Sequence, residues 1–227
     1  MGIPASAGRC RLLATSHDRG HTDYRAGSDN VACRRTALVG PAYPRQLTHA
    51  AFEGSCHGAS GSGTTTLGRA LADYWSVPHA DADDYFWVPT VPPYIEKRPE
   101  SARLALMRDV FVPREGWALP GSMVGWGESI LVESDAVVFL TLEPRERLRR
   151  LEAREVHRRD GQEFDAAAWS DFLDWARGYD DPAFDGRSRV AHEEWLGQLD
   201  RPVLRLGSGI SVIERRDAVL SWDASQG

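Results

Sequence analysis

The chain has 227 residues, 42% hydrophobic and 26% charged, with 8 tryptophans. Such a composition suits one globular domain with a proper core and excludes a collagen-like or wholly disordered chain. No apolar run approaches the roughly 18 residues needed to cross a bilayer, and the N-terminus lacks the apolar stretch of a secretory signal. Cys10, Cys33 and Cys56 are too few and too scattered for a disulfide framework or a zinc site. A cytoplasmic protein with no membrane partner is the resulting expectation.

Charge is unevenly placed. Residues 1–50 hold seven arginines against three aspartates, whereas residues 51–227 hold twenty basic and thirty acidic side chains. An acidic main region argues against nucleic acid as a partner, which would need a net basic face. Every basic residue except Lys97 is an arginine. That limits which side chain can serve as a phosphate-binding lysine.

Residues 1–45 carry no sustained period and read as a disordered leader or an upstream start, with an accessory segment as the alternative. From about residue 46 short apolar runs alternate with helical stretches. Thr65–Trp75 sets Leu67, Ala70, Leu71 and Tyr74 on one helical face, and Ser101–Val110 repeats the pattern. Trp117–Leu119 leads into a glycine-rich turn, Gly121–Gly127. Ala136–Leu142 is β-branched, short and apolar, the best buried strand in the chain. Glu143-Pro144 then opens an arginine-rich helix reaching about His157. Two more helices, Ala166–Arg177 and Arg189–Leu199, precede a strand at Pro202–Leu206 and a closing helix at Val212–Trp222. Strands alternating with helices predict a mainly parallel sheet covered on both faces. One strand is in question: ahead of the loop described next, Ala50–Cys56 either forms a weak strand or the upstream sequence is lost or misread.

Gly58-Ala59-Ser60-Gly61-Ser62-Gly63-Thr64-Thr65 fits the phosphate-loop template at every fixed position except the lysine, which is Thr64. Glycines let successive backbone N–H groups curl around a phosphate, and the helix that follows adds its positive end. Thr66 continues that first turn. A hydroxyl at Thr65 suits Mg²⁺, and a nucleotide such as ATP is the expected ligand. The alternative is a chance Gly/Ser turn.

This loop, the acidic HADADDYF, the GWALPGS turn, the strand-and-arginine-helix DAVVFLTLEPRERLRRLEAR and the late GRSR together resemble a known group. It is the P-loop group of nucleoside monophosphate kinases and shikimate kinases. More narrowly, the chain resembles bacterial adenylate kinase-like proteins with a GASGSGTTTL loop, over about residues 56–210. The resemblance implies an α/β fold: a P-loop three-layer α/β/α sandwich with a helical lid at about 155–188. It implies ATP and Mg²⁺ as cofactors and phosphoryl transfer to a small-molecule acceptor.

What it implies for single residues can be set beside their chemistry. Asp81 and Asp83 alternate onto one face of an expected strand, where they would hold Mg²⁺ (Asp83 with Thr65) or accept a proton from a hydroxyl. A solvated turn or helix cap is the plain alternative. The proline-rich Trp87–Arg98 is no helix; it resembles an acceptor-side loop, with Lys97, Arg98 and Arg103 offered to an anionic substrate. Gly121, Ser122 and Trp126 lie where the central strand would end beside the acceptor. Arg147, Arg150 and Arg154 form one helical stripe, and the resemblance makes Arg150, Arg154 and Arg158 lid arginines over the transferring group. Arg187 and Arg189 would return from the lid to grip phosphate in bidentate fashion. His157 and His192 lack any recognisable partner spacing, and Trp169, Trp175 and Trp195 read as packing.

Three functions remain in contention: an ATP-dependent kinase, a nucleotide-binding sensor without turnover, and a domain whose loop is silent. Loss of the lysine favours the second. Retention of the carboxylates and arginines favours the first.

Overall fold

A computed structural model describes residues 52–91, 93–158, 165–207 and 209–224. The expected leader, residues 1–45, lies outside them. Four strands form one wholly parallel sheet in the order β2-β1-β3-β4: β1 Glu53–Gly58, β2 Trp117–Pro120, β3 Ala136–Leu140 and β4 Val203–Leu206. β3 has five consecutive fully buried residues, as a strand covered on both faces requires. Val137 and Phe139 face one side of the sheet, Val138 and Leu140 the other.

The two faces are covered by different helices. Leu67 and Leu71 of α1 (Thr64–Trp75) and Val219 of α8 (Val212–Ser221) pack on Cys56, Val138 and Leu140. The opposite face takes α2 (Ala82–Phe86), α3 (Glu100–Val110), α4 (Glu128–Leu131) and α7 (Arg189–Leu196). Their Tyr85, Met107, Ile130 and Trp195 close over Trp117, Leu119, Val137 and Phe139. α5 (Pro144–Arg158) and α6 (Ala166–Gly178) pair separately through Leu151, Leu173 and Ala176. The architecture is therefore the expected three-layer α/β/α arrangement. Of the expected lid at 155–188, residues 159–164 lie outside the described set.

The disputed strand exists, shifted toward the loop: it is Glu53–Gly58, two polar residues of which, Ser55 and His57, are fully buried. They are tolerated because they are paired. Ser55 Oγ donates to the Leu119 carbonyl at 3.0 Å and lies 2.6 Å from His57 Nε2. The serine's one proton is committed to Leu119, so His57 must donate through Nε2. Burial pushes His57 down to about 3, so the ring stays neutral. The pairing uses Nε2 alone, His57 Nδ1 being buried without a partner, and such a polar pair carries no apolar signature for sequence reading to find.

Helix starts follow local chemistry. Pro144 supplies a pre-set φ at the start of α5, while Glu143 accepts from the N–H groups of Arg145 and Glu146. Ser211 and Glu214 form a reciprocal capping box at α8. α1 differs: Gly63 precedes it with no side-chain cap, and its first turn has no acidic residue. Its positive end is left uncompensated.

Candidate nucleotide site

β1 pairs with β2 on one side and with β3 on the other, so the strand order reverses beside β1. Ligands of open parallel sheets bind in the crevice at such a point, outside the carboxyl ends of the strands. There the chain carries the loop Ala59–Gly63 into α1. Gly61 has φ 86° and Gly63 φ 99°, both in the left-handed region that favours glycine. A side chain at Gly61 would also meet the Arg147 carbonyl oxygen at 2.9 Å. Ser62 is fully buried in the loop, and its Oγ finds no partner.

One hydrogen bond organises the mouth of the loop: Thr65 Oγ1 donates to Asp81 Oδ2 at 2.7 Å. Gly121 permits this approach, since a Cβ there would stand 3.0 Å from Asp81 Oδ1 and 2.7 Å from Ala82 Cβ. The acidic segment is not the expected strand. His79 makes a single parallel bridge to Ala118, Asp81 caps α2 in a capping box with Asp84, and Asp83 sits in the first helical turn. A helix forms because Asp81 offers its carboxylate to the Asp83 N–H, which an extended chain cannot use in this way. The carboxylate hydrogen-bonded to Thr65 is Asp81, not Asp83, the one expected to share Mg²⁺ with it. Although Asp83 is exposed at the surface, its carboxyl is held above the usual range by partial removal from water and then by repulsion from Asp81; Arg187 and Arg154 pull it the other way.

The arginines divide into distinct groups. Arg147, 1% exposed, donates to the Ser60 and Ala176 carbonyls and pairs with Asp180 at 2.7 Å. Arg187 donates to Ser60 Oγ at 2.8 Å and lies 4.8 Å from the Trp175 ring. Arg215 of α8 donates to the Ser62 carbonyl at 3.3 Å. With Arg150, Gly63, Thr66 and Ser211 it lines a groove of about 160 Å³ beside the first turn of α1. Arg189 is held by Asp180 at 2.6 Å instead of facing the loop. Arg150 is bonded to Glu146 at 2.8 Å. Arg154 is exposed. Arg158 lies apart, 3.7 Å from Glu155 and 5.7 Å from the Tyr94 ring.

The acceptor-side residues are less gathered. Arg98 donates to the backbone carbonyls of Tyr85 and Asp84, and Arg103 to that of Arg98. The Arg103 guanidinium is stacked 3.8 Å from Phe86 and 5.4 Å from the buried Trp126. Lys97 is exposed, about 6 Å from the Phe86 and Trp87 rings. Ser122 Oγ lies 3.0 Å from His192 Nε2, while His192 Nδ1 lies 2.9 Å from Tyr179 Oη. Burial holds His192 down at about 3 and raises Tyr179 to about 12, so both are neutral. Sequence reading left His192 without a partner; its partners are 70 and 13 residues away. The sequence places Arg147 in the helical stripe but gives it no site role, and it does not single out Asp180, Tyr179 or Arg215. Only Arg215 carried a signal, sharing the inward face of its helix with Val219. Trp175 is no core residue; it is 37% exposed and backs Arg187.

A curated protein from Bacillus subtilis (strain 168), described as uncharacterized protein YqaC, is 37% identical over 174 residues, spanning 74% of this chain and 95% of the relative. The chain belongs to the YqaC family. No protein-family model matches it. Among solved structures, a gluconokinase from Sinorhizobium meliloti 1021 overlays with TM-score 0.47 and 16% identity, covering 77% of this chain and 94% of its own. A shikimate kinase from Bacteroides thetaiotaomicron gives 0.47 and 18%, covering 75% and 99%. Among the described residues no helix is long and apolar enough to cross a membrane.

Proposed function

We propose that the protein binds ATP at the Gly58–Thr66 loop and transfers its terminal phosphoryl group to a hydroxyl of a small acceptor. The observation that carries this reading is the Thr65–Asp81 hydrogen bond at the mouth of an uncapped, positive helix end. Hydroxyl and carboxylate oxygens are hard donors, and together they suit Mg²⁺. Among the described residues no group of three or more His, Cys, Asp or Glu could hold a metal, so the phosphates and water would complete its shell. Bound there, Mg²⁺ would neutralise charge building on the phosphate oxygens.

Asp83 is the base. Its carboxylate, held above the usual range, takes the proton as the acceptor oxygen attacks the γ-phosphorus. The bond from that phosphorus to the β–γ bridging oxygen breaks, and ADP leaves. Arg154 and Arg187, the cations that act on Asp83, would stabilise the charge on the group in flight. Ser122 and Gly121, at the end of β2, would meet the acceptor, with His192 orienting the Ser122 hydroxyl. Arg103, its face covered by Phe86 and Trp126, would offer an edge to an anionic acceptor.

Thr64 in place of the template lysine favours a second reading, a nucleotide sensor without turnover. Calorimetric titration of ATP with and without Mg²⁺, followed by an acceptor screen for ADP release, separates the two. Saturable Mg²⁺-dependent binding with turnover is the expected result; binding without ADP release for any acceptor would leave the sensor. Absence of binding at millimolar ATP would sink both.

A further inference from the structure

We propose that Arg187 replaces the lysine that the phosphate loop lacks, supplying from the turn before α7 the cation that other such loops carry within themselves. The inference rests on the ATP-binding reading above and says which residue completes that site.

Four cations compete for the role. Lys97, the one lysine, is exposed on the acceptor-side loop beside Phe86 and Trp87. Arg147 touches Ser60 but is neutralised by Asp180 at 2.7 Å and bound to the Ala176 carbonyl. Arg215 meets the loop from α8 only at a backbone carbonyl, that of Ser62, and its Nε and Nη2 are buried without a partner. Arg187 alone reaches a side chain of the loop, Ser60 Oγ at 2.8 Å, and makes no ion pair among the described residues. Its Nε is buried without a partner.

The surroundings explain why an arginine can stand in for a lysine here. Lysine is a flexible point charge that needs a short tether to a phosphate. Arginine is planar, and Trp175 lies against its face at 4.8 Å, so the guanidinium is held before any ligand arrives. Thr64 follows from the same arrangement. A lysine there would add a fourth cation to a loop already touched by three arginines, Arg147, Arg187 and Arg215. Burial pulls the Arg187 guanidinium below its usual range, while the negative charge of Asp83 acts the other way.

The test is a cycle of Arg187→Met, which keeps an apolar stem beside Trp175, with Thr64→Lys. Affinities for MgATP and for inorganic triphosphate are read by calorimetry in the full chain. Arg187→Met should weaken both ligands by about 10- to 100-fold, the worth of one charge-assisted contact. Adding Thr64→Lys to it should recover at least tenfold, although lysine at 64 restores none of the packing at 187. Thr64→Lys alone should tighten binding by less than tenfold, because the cation is already supplied, and this remains readable if the Met variant does not fold. Unchanged affinity in Arg187→Met, a loss that Thr64→Lys leaves in place, or a large gain from Thr64→Lys alone overturns the proposal. Failure of the wild-type chain to bind either ligand would instead remove the ATP-binding reading.

Discussion

The two walls of the cleft are built differently. On the donor wall the loop between β1 and α1 is tied to α5, to the turn before α7 and to α8 by arginines bonded to Ser60 and Ser62. On the acceptor wall, Trp87–Arg98 holds itself together with one antiparallel bridge, Trp87 to Lys97, and leaves Val91, Tyr94 and Ile95 exposed. Its cation Arg98 is bonded to its own neighbourhood's backbone. A wall assembled from distant elements is rigid before ligand arrives, whereas one assembled from local contacts has fewer constraints to release. Nucleotide binding should therefore tolerate changes on the acceptor wall that alter acceptor use.

Asp83→Asn offers the sharpest way to break that comparison. Turnover should fall by about 10²–10⁴, the usual worth of a general base, with ATP affinity little changed. Equal losses in kcat and in ATP affinity would place Asp83 on the donor wall. The rate of the wild type should also fall on acidification through a value above the ordinary aspartate range, because only the carboxylate accepts the proton.

Next in size is Arg147→Met. It strips Asp180 of one of its two arginine partners and the loop of its Ser60 contact. Breaking a buried pair on one side costs about 3 kcal/mol, to be read as a lower denaturation midpoint. No loss of stability would show that the donor wall is not held in this way.

Acidification probes the buried histidines beneath both walls. His57 and His192 are pushed from 6.5 to about 3, so below 6.5 the unfolded chain takes up protons that the folded chain refuses. Stability is complete above about 6.5 and declines as pH falls toward 3, by up to about 1.4 kcal/mol per pH unit for each histidine. His192→Gln should flatten that decline in a melting series. The smallest effect belongs to Lys97→Ala: stability within about 0.5 kcal/mol and unchanged ATP affinity, with any change confined to the acceptor's KM.

Much of this architecture was legible in the sequence. The apolar run at Ala136–Leu140 could only be a strand covered on both faces, and the glycines at 58, 61 and 63 announced a loop closed by backbone groups. Local chemistry also set the starts of α5 and α8. These features depend on neighbours within a few residues, which sequence order preserves. What tertiary structure alone decided was pairing over distance. Ser55 and His57 look wrong for a buried strand until the Leu119 carbonyl accepts a hydrogen bond from Ser55. Asp81 and Asp83 look alike until one caps a helix and accepts from Thr65, leaving the other facing Arg154 and Arg187. The arginines of α5 look equivalent until Asp180 and Ser60 select Arg147 for the interior. Burying a polar side chain is costly unless a partner meets it, and only the folded chain determines which partner that is.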